Sequence, residues 1–547
     1  MEELKKQLQP TFKGEISTDD VIRTQHMRDA SVYEAKPEMV VFPTNSEDIQ
    51  HLVSFITEQK KTNTQLSLAP RSGGTCMSGG TLTDSISVDM LLLNKVIEIG
   101  QDYGIVEPGT YYRDFEKETL AKQVILPSYT SSKLICTVGG MVANNAGGEK
   151  SLEFGKTEKY VYELHMVLAD GKEYPFKKLT KSELDEKMKL QTFEGEVYRK
   201  MFDLLDKNYD LIQSHKPKVT KNSSGYTIWN IWNKAEQTFD LSQIFIGAQG
   251  TLGINTKIKF KLVPVRREHG LLVVYMSNFD HIPEIVKTVL KYNPASFESF
   301  DDYTLNLALK YVLDFAPVLH TNKLQTAMEF LPEFLLKFGK GTPKLALLVE
   351  FEANEKESIQ KNITALHEEL KQFKNVFTKI AKTEAEQDKD WAIRRESFNL
   401  LRKKLTTLKA CPFIDDTCVD PQILPEFLPK LYKILDEEHL LYSIAGHIGN
   451  GNFHIFPLLN LKDEKEREKI YTVGKKVFDL VFSYGGSMSG EHNDGFVRSP
   501  YLRQQFGDEI YDIFKEVKNI FDPNKIFNPH KKIDVTTEYT KPFLIKT

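Results

Sequence analysis

The chain has 547 residues, and its 72 lysines and arginines nearly balance 76 aspartates and glutamates, which leaves a formal charge of -4. This length exceeds what one hydrophobic core supports, so two or three domains are expected. The balanced charge provides no broad basic field, so nucleic acid is not an expected partner. No apolar run reaches the ~18 residues that a membrane-spanning helix needs, so we expect no transmembrane segment.

The first residues and the cysteines bear on where the protein works. Met1–Gln7 lacks the apolar stretch of a secretory signal. The four cysteines show no Cys-x-x-Cys spacing, which fits reduced, buried thiols and argues against an iron–sulfur cluster in this chain. We therefore expect a cytoplasmic protein, with any attachment to the inner membrane made through a partner.

The first half of the chain alternates between predicted strands and helices. The elements predicted first are a helical lead-in over 1–34 and strands at Met39–Phe42, Gln65–Ala69 and Ser85–Met90. Thr44-x-x-Glu47 is typical of a capping box and predicts a helix through Lys60. The elements predicted next are a hairpin over 160–171, helices over 177–215 and a closing strand at Ile258–Val265.

From Arg266 the sequence pattern changes. The predicted strands here are Leu271–Met276 and Lys344–Glu350. The predicted helices are Glu355–Phe373, Ile423–Glu438, Asp463–Tyr484, Glu509–Phe521 and a helical insertion near 295–340. We therefore predict a second, α+β domain after the first.

Three glycine-rich stretches lie between strand-like runs, at Arg71–Gly80, Thr137–Gly148 and Gly247–Gly253. Successive backbone N–H groups in such loops can hold an anion without a charged side chain. One loop of this kind is commonly only a turn, but three together indicate an extended anionic ligand such as a diphosphate dinucleotide. None matches G-x-G-x-x-G opening a helix or G-x-x-x-x-G-K-[ST], so neither a Rossmann site nor a nucleotide-hydrolysing loop is supported.

The stretch Gly446–His454 places two histidines seven residues apart among small residues, and a Glu-His pair follows about forty residues later. Two imidazoles and a carboxylate can hold a divalent metal, as in catalytic zinc sites with three protein ligands and an open position. We predict that His447, His454 and Glu491 are the ligands and that His492 is free for proton transfer. The alternative is that these are ordinary core or surface histidines, because a His-x6-His spacing alone is weak.

Two polar segments have open interpretations. Trp391–Glu396 lies on a predicted helix, where one arginine could grip a carboxylate through two N–H groups, although on pattern alone a solvated charged face is the better interpretation. Lys221–Tyr226 is a polar turn that could line a site or lie on the surface.

The order and spacing of these motifs, with Asp522-Pro523 before Asn528-Pro529, resemble those of the flavin-dependent D-2-hydroxyacid dehydrogenases of the vanillyl-alcohol-oxidase type. The resemblance runs from about Asp29 to Lys532. It is closest to the flavin part of D-lactate or D-2-hydroxyglutarate dehydrogenases that carry an iron–sulfur half. The segments that carry this closest likeness are Phe413–Thr417, Phe456–Leu461 and Gly490–Gly495.

The resemblance implies an α+β fold with a vanillyl-alcohol-oxidase-type (PCMH) FAD-binding domain and an FAD-linked-oxidase C-terminal substrate domain. The implied segments are a helical lead-in (1–34), an FAD-binding domain of two subdomains (35–265), a substrate domain with the metal-site histidines (266–486) and a C-terminal segment returning to the flavin domain (487–547). We expect non-covalent FAD, because Thr75 stands where some relatives tether the flavin through a histidine.

The resemblance also implies roles for individual residues. The residues implied to contact FAD are Arg71, Ser72, Gly73, Gly74, Thr75, Met77, Ser78, Pro127, Thr137, Gly139, Gly140, Asn144, Gly147, Gly148, Gln249, Gly250, Gly253, Ile254 and Asn528. The metal ligands match His447, His454 and Glu491, and the metal of such relatives is commonly zinc. The proposed base matches His492, the arginine that pairs with the substrate carboxylate matches Arg394, and Asn452 would line the substrate side.

The sequence departs from the family pattern at several positions. Gln249 replaces a common glutamate, Asn450 an aspartate between the histidines, and Asn493 a glycine after the Glu-His pair. The lysine that some D-2-hydroxyglutarate enzymes use for the distal carboxylate falls near Ile414. This last departure favours D-lactate over a dicarboxylate substrate.

The implied reaction is oxidation of a D-2-hydroxy acid to a 2-oxo acid, with hydride transfer to flavin. The expected electron acceptor is a separate iron–sulfur protein, a quinone or an electron-transfer flavoprotein, and the oligomeric state is open, a homodimer included. Two alternatives remain: a non-redox flavoenzyme like alkyl-dihydroxyacetone-phosphate synthase, against which the histidine pair argues, and a flavin-dead scaffold subunit, for which the three departures at Gln249, Asn450 and Asn493 leave room.

Overall fold

Most strands lie in three sheets in the computed structural model of the protein, which describes residues 1–340, 342–404 and 407–547. The first sheet is mixed, and its strands in spatial order are Glu15–Ser17, Met39–Phe42, Ile86–Asp89 and Leu68–Arg71. The second is antiparallel, in the order Trp232–Asn233, Thr238–Asp240, Glu173–Thr180, Val161–Val167, Ile254–Lys261, Tyr103–Val106 and Val96–Ile99. The third is antiparallel, in the order Val376–Ala381, Glu268–Met276, Leu345–Ala353, Ser296–Asp301, Ile444–His447, Asn452–Ile455 and Thr417–Cys418.

Shorter ribbons and helices complete the fold. The ribbons pair Val263–Pro264 with Val124–Ile125 and Lys409–Ala410 with Leu458–Leu459. The helices of the first half are Glu2–Leu8, Asp20–Gln25, Ser46–Gln59, Tyr112–Ala121, Val138–Asn144, Ser151–Phe154, Lys181–Lys189, Phe193–Lys207, Tyr209–Ser214 and Ser242–Phe245. The helices of the second half are Ile282–Leu290, Asp302–Lys310, Lys323–Glu329, Leu331–Lys340, Lys356–Leu370, Glu384–Lys404, Leu424–Glu437, Glu464–Ser483, Gly495–Arg498, Leu502–Phe521 and Thr537–Thr540. The 3-10 turns are Gln9–Thr11, Thr157–Lys159, Ile228–Asn230, Val312–Phe315, Pro421–Ile423, Ile448–Asn450, Ser499–Tyr501 and Lys541–Phe543.

The third sheet is buried on both faces. Leu272 and Val274 point into one apolar core, whereas the alternate residues Leu271 and Val273 point into another. Side chains alternate between the faces of a strand, so a strand covered on both sides is a continuous apolar run rather than an alternating one. This explains the unbroken run Leu271–Met276, which was predicted as a strand and is confirmed within Glu268–Met276.

Residues after the third sheet return to the first half of the chain. Phe514 and Phe521 pack in the core of the second sheet, and Ile526 and Phe527 pack in the core of the first. The boundaries expected from sequence for the four segments stay a prediction. None of the helices in the described ranges has both the length and the apolar character that crossing a lipid bilayer requires.

Several predicted elements differ from the structure. The helix expected from Thr44 begins at Ser46, because Asn45 is the N-cap and its side chain accepts the Asp48 N–H. Thr44 instead donates to the Asp48 carboxylate. The strand predicted at Gln65–Ala69 lies at Leu68–Arg71.

Two regions predicted as helical contain strands. The first residues of 177–215 belong to the strand Glu173–Thr180, and helices follow from Lys181. The insertion near 295–340 begins with the strand Ser296–Asp301, which lies inside the third sheet. The last helix is longer than predicted, since Leu502–Phe521 joins two helices across a kink at Gly507.

A buried ion pair fastens the returning segment. Lys532 Nζ lies 2.7 Å from Asp494 Oδ2 and 2.7 Å from the Gly225 carbonyl oxygen, and both charged side chains are fully buried. Removing one partner of such a pair leaves an uncompensated charge in the interior. The pair therefore holds the polar turn at Lys221–Tyr226 against the C-terminal segment.

Replacing Lys532 with methionine should lower the free energy of unfolding by about 3–5 kcal/mol, the usual cost of breaking a buried pair. The matched control is Lys525→Met, because the Lys525 side chain is 63% exposed and its loss should stay within about 0.5 kcal/mol. Urea unfolding followed by circular dichroism measures both. Equal losses in the two variants would contradict a fastening role for Lys532.

Candidate active site

Two histidines meet on a tight hairpin of the third sheet. The strands Ile444–His447 and Asn452–Ile455 pair with His447 opposite Asn452 and Ala445 opposite His454. Directly opposed and alternate residues share a face, so both imidazoles point the same way. The turn needs glycine at Gly451, where φ is +65° and a Cβ would lie 1.9 Å from the Val419 carbonyl oxygen.

The two imidazoles converge on one carboxylate. His447 Nε2 and His454 Nε2 are 3.2 Å apart, and Glu491 Oε1 lies 3.1 Å from the first and 3.4 Å from the second. Donor atoms of a tetrahedral zinc site are about 3.3 Å apart when each lies ~2.0–2.1 Å from the metal. The three predicted ligands are thus brought together with the spacing that a divalent metal would need, and they could hold one.

Two buried carboxylates orient the histidines from behind. Glu298 Oε1 lies 2.5 Å from His447 Nδ1, and Asp415 Oδ1 lies 3.1 Å from His454 Nδ1. A proton on each Nδ1 leaves each Nε2 lone pair directed at the Glu491 side, which is the usual arrangement behind metal-binding histidines. Burial disfavours charge on His454, but the carboxylates of Asp415 and Glu491 outweigh it and raise its pKa to about 10. The carboxylates around His454 therefore create an electrostatic potential that favours a bound cation.

His492 is held beside the cluster by the same aspartate. Its Nδ1 lies 2.6 Å from Asp415 Oδ2, and its ring stacks on that of His454 with centroids 5.0 Å apart. Burial disfavours charge on His492, yet the nearby Asp415 raises its pKa overall. The distance from His492 Nε2 to Glu491 Oε1 is 3.9 Å, which is too long for a hydrogen bond.

A second donor set overlaps the first, because ligand atoms of Asp416, His454, Glu491 and His492 lie within 4.8 Å of one another. The carboxylate of Asp416 is already committed. It accepts the backbone N–H groups of Glu491 and His492 and the Asn452 side-chain amide. We therefore regard the set of two histidines and Glu491 as the better metal-binding candidate.

Arg394 reaches the cluster from the helix Glu384–Lys404, which covers this end of the third sheet. Its Nη2 lies 3.0 Å from Glu298 Oε2, so one buried carboxylate links the guanidinium to His447. Its Nε is buried and has no hydrogen-bond partner in the described part of the chain. Glu298 was missed by the sequence analysis, which had assigned its strand to a helical insertion.

Asn452 has a different position from the one expected of a substrate-lining residue. It is fully buried and does not line the cavity. Its side-chain amide donates to Asp416 Oδ1 at 3.0 Å and to the Thr417 carbonyl oxygen at 3.2 Å. Asn452 therefore braces the turn that presents Glu491 and His492.

The glycine-rich loops and the cluster line one cavity of about 1140 Å³. This volume exceeds the range of about 300–1,000 Å³ usual for small-molecule sites, which suits a large, extended ligand. The predicted FAD contacts that line it are Ser72, Gly73, Gly74, Thr75, Met77, Thr137, Gly139, Gly140, Asn144, Gly147, Gly148, Gln249, Gly250, Gly253 and Ile254. His447, His454, Glu491 and His492 also line it, as does Arg394.

The second loop approaches the cluster closely. A Cβ added at Gly147 would lie 2.9 Å from Glu491 Oε2, which is closer than such atoms pack. Only glycine lets the loop and the carboxylate come together here without displacement. These loops therefore fit a cofactor whose reactive end lies beside the cluster.

Arg71, Ser78, Pro127 and Asn528 were predicted to contact FAD but do not line the cavity. Asn528 instead ties two loops together, since its amide donates to the carbonyl oxygens of Gly80 and Gln249, each at 2.8 Å. Ser78 Oγ accepts from the Gln249 side chain at 3.2 Å, and Arg71 donates to the Arg28 carbonyl oxygen. These contacts support the loops from outside.

Two of the three departures from the family pattern, Gln249 and Asn493, are accommodated by hydrogen bonds, whereas the Asn450 Oδ1 is buried without a partner in the described part of the chain. Gln249 accepts the Gly495 N–H at 2.9 Å and donates to Asn144 Oδ1 at 3.1 Å, which joins two loops to the C-terminal segment. Asn493 has φ of +69° and donates to the Gly247 carbonyl oxygen. Asparagine tolerates this left-handed conformation better than other non-glycine residues, so the turn survives the replacement of glycine.

The fold is the one expected from the sequence, a p-cresol-methylhydroxylase-type FAD-binding domain followed by an FAD-linked-oxidase C-terminal domain. A family model described as FAD binding domain matches residues 37–175, and one described as FAD linked oxidases, C-terminal domain, matches residues 267–532. The chain therefore contains an FAD binding domain followed by the C-terminal domain of FAD-linked oxidases.

Relatives with named activities match most of the chain. A D-2-hydroxyglutarate dehydrogenase of Pseudomonas putida is 28% identical over 95% of this chain and 50% of its own length. A glycolate oxidase subunit GlcD of Bacillus subtilis is 25% identical over 91% of this chain and 89% of its own. A D-lactate dehydrogenase of Anaerostipes hadrus is 25% identical over 91% and 90%. The chain thus spans about half the length of the first of these relatives.

Solved structures agree on the fold. A p-cresol methylhydroxylase with bound substrate is 15% identical with a TM-score of 0.67, over 97% of both chains. An alkyldihydroxyacetonephosphate synthase is 16% identical with a TM-score of 0.65, over 97% of this chain and 86% of its own. At these identities the likeness shows the shared fold alone.

Replacing Asn528 with aspartate should weaken FAD binding. The side chains have the same shape, but aspartate has no N–H donors and would direct an anion at two carbonyl oxygens. Two lost hydrogen bonds at about 1 kcal/mol each predict at least about a tenfold higher Kd. Reconstitution of the FAD-stripped protein, followed by flavin absorbance, measures this, with the nearby exposed Asn524→Asp as the control. Unchanged affinity would exclude Asn528 as a support of the loops.

Proposed function

We propose that the protein oxidises a D-2-hydroxy acid to the 2-oxo acid with FAD as the hydride acceptor. The observation that carries this proposal is the convergence of His447, His454, Glu491, His492 and Arg394 in the wall of the glycine-lined cavity. The names of relatives that match most of the chain support the substrate class. When bound, FAD would supply the redox chemistry, whereas the protein supplies orientation and electrostatics.

His492 is the proposed base for the substrate hydroxyl. The contact between its Nδ1 and Asp415 fixes the ring and, against the effect of burial, also raises the pKa of His492. Positive charge on the neighbouring ligands lowers that pKa, so a bound divalent cation would leave Nε2 free to accept a proton. Its position beside the cluster and on the cavity wall allows one substrate to reach both. The residue thus meets the geometric requirement for a general base.

Arg394 is the proposed anchor for the substrate carboxylate. Its unpartnered Nε gives it an N–H group to offer, while Nη2 stays on Glu298. A guanidinium matches the planar geometry of a carboxylate and can bind it through two N–H groups. Fixing the substrate at one end would orient its hydroxyl toward His492.

The proposed metal site consists of His447, His454 and Glu491. Two imidazoles and one carboxylate suit zinc, and three protein ligands leave a position for substrate. A bound divalent metal would make the substrate hydroxyl a stronger acid. Glu298 and Asp415 orient the two histidines for this task.

The charges elsewhere in the cavity favour a monocarboxylate such as D-lactate. Lys150 also lines the cavity, but it is bound by both Glu350 and Glu352. Arg395 is bound by both oxygens of Glu149. A second substrate carboxylate would have to compete with these glutamates for a cation. D-2-hydroxyglutarate is the second candidate substrate, because several relatives bear its name.

The proposal extends to the electron acceptor, which would be a separate iron–sulfur protein, a quinone or an electron-transfer flavoprotein. The four cysteines are free, buried thiols. Burial raises the pKa of Cys411 to about 12 and of Cys418 to about 11, so neither is poised as a thiolate ligand.

Anaerobic addition of D-lactate should bleach the flavin absorbance, whereas L-lactate should not. The kcat/KM for D-lactate should exceed that for D-2-hydroxyglutarate. Glu352→Gln should raise relative use of the dicarboxylate about tenfold, because it releases Lys150 from a charge-assisted bond worth ~1.5–3 kcal/mol. Exposed Glu355→Gln is the control. A preference for the dicarboxylate in the unmodified protein would reject D-lactate, and no bleaching by any D-2-hydroxy acid would reject the reaction.

His492→Ala should keep bound FAD and lose about 10²–10⁴-fold in kcat, the usual contribution of a general base. His51→Ala is the matched control, since His51 is exposed on the helix Ser46–Gln59, outside the candidate site. Flavin absorbance and stopped-flow reduction separate cofactor loss from loss of proton transfer. Full turnover in the His492 variant would remove the base assignment.

A further inference from the structure

The polar turn at Lys221–Tyr226 brings a buried lysine to the cluster. The Lys221 side chain is 2% exposed, and its Nζ lies 3.1 Å from Glu491 Oε2 and 3.5 Å from Asn452 Oδ1. The residues in contact are about 270 positions apart in the chain. Neither the metal-ligand set nor the base explains why a cation is buried at this point.

Glu491 directs its two oxygens to different partners. Oε1 faces the two imidazole nitrogens, while Oε2 faces Lys221 and the loop at Gly147. A carboxylate whose second oxygen is bound to a lysine can offer a metal only its first oxygen. We propose that Lys221 is a positioning residue that keeps Glu491 a single-oxygen ligand and so preserves the open position that a substrate needs. This inference rests on the proposed metal site.

The turn holds Lys221 on a rigid support. Lys156 Nζ donates to Ser223 Oγ at 2.9 Å and to the Gly490 carbonyl oxygen at 3.1 Å, which joins the turn to the residue before Glu491. The Ser223 N–H donates to the Ser489 carbonyl oxygen at 2.9 Å. The ammonium and the carboxylate are thus presented by two segments that are fastened to each other.

Charge balance gives a second reason for the lysine. The buried carboxylates around the site are Glu298, Asp415, Asp416 and Glu491. A buried carboxylate oxygen without a donor is costly, so Glu491 without the ammonium would turn both oxygens toward the histidine side. Metal affinity and coordination number should therefore change together when Lys221 loses its charge.

The test uses the full-length protein with bound FAD. It is loaded with Zn²⁺ or with Co²⁺ and then equilibrated against graded concentrations of a chelator. Lys221→Met should bind Zn²⁺ about 10–100-fold more weakly, the usual cost of losing a group that orients a metal ligand. Its Co²⁺ absorption should also shift toward a higher coordination number. Lys218→Met is the control, because Lys218 is exposed three residues away and should bind both metals like the unmodified protein.

Two further outcomes keep the inference testable. Lys221→Gln keeps an N–H donor for Glu491 Oε2 and should lose less affinity than the methionine variant, and it replaces that variant in the test if methionine prevents FAD binding. If the glutamine and methionine variants both bind Zn²⁺ as tightly as the unmodified protein and give the same Co²⁺ spectrum, the proposed role of Lys221 is wrong. Failure of the unmodified protein to bind either metal would instead reject the metal site of the proposed function.

Discussion

Four carboxylates buried side by side set the constraint on which the rest of the site depends. A carboxylate taken out of water costs several kcal/mol unless donors or cations surround it. Asp416 uses backbone N–H groups, whereas Glu298, Asp415 and Glu491 face three imidazoles, a guanidinium and an ammonium. When the imidazoles are neutral, the carboxylates outnumber the permanent cations that face them, and a divalent cation would offset this excess of negative charge.

These partners come from distant parts of the chain. The histidine hairpin and Glu298 lie on the same face of the third sheet, where an apolar surface under Trp391 and Ala392 gives way to polar side chains. The lysine comes from the first half of the chain, and the Glu-His pair from the returning segment. No single stretch of the chain therefore contains the complete site.

The sequence was most informative where chemistry is local. Glycine density marked the cofactor loops, and the pair of histidines seven residues apart marked the hairpin. Glu298 was missed because its strand was assigned to the helical insertion near 295–340. Phe297 and Phe300 lie on opposite faces of this strand and fill different cores, so both of its faces are covered. The pairing of Lys221 with Glu491 could not be predicted, since periodicity contains no information on contacts made across the fold.

The returning segment has a consequence for biosynthesis. Phe514 and Phe521 complete the core of the second sheet, and Ile526 and Phe527 complete that of the first. The cofactor-binding half, although translated early, cannot close its interior until the ribosome has delivered these residues. During synthesis this half therefore exposes apolar surface, the kind of surface that chaperones bind.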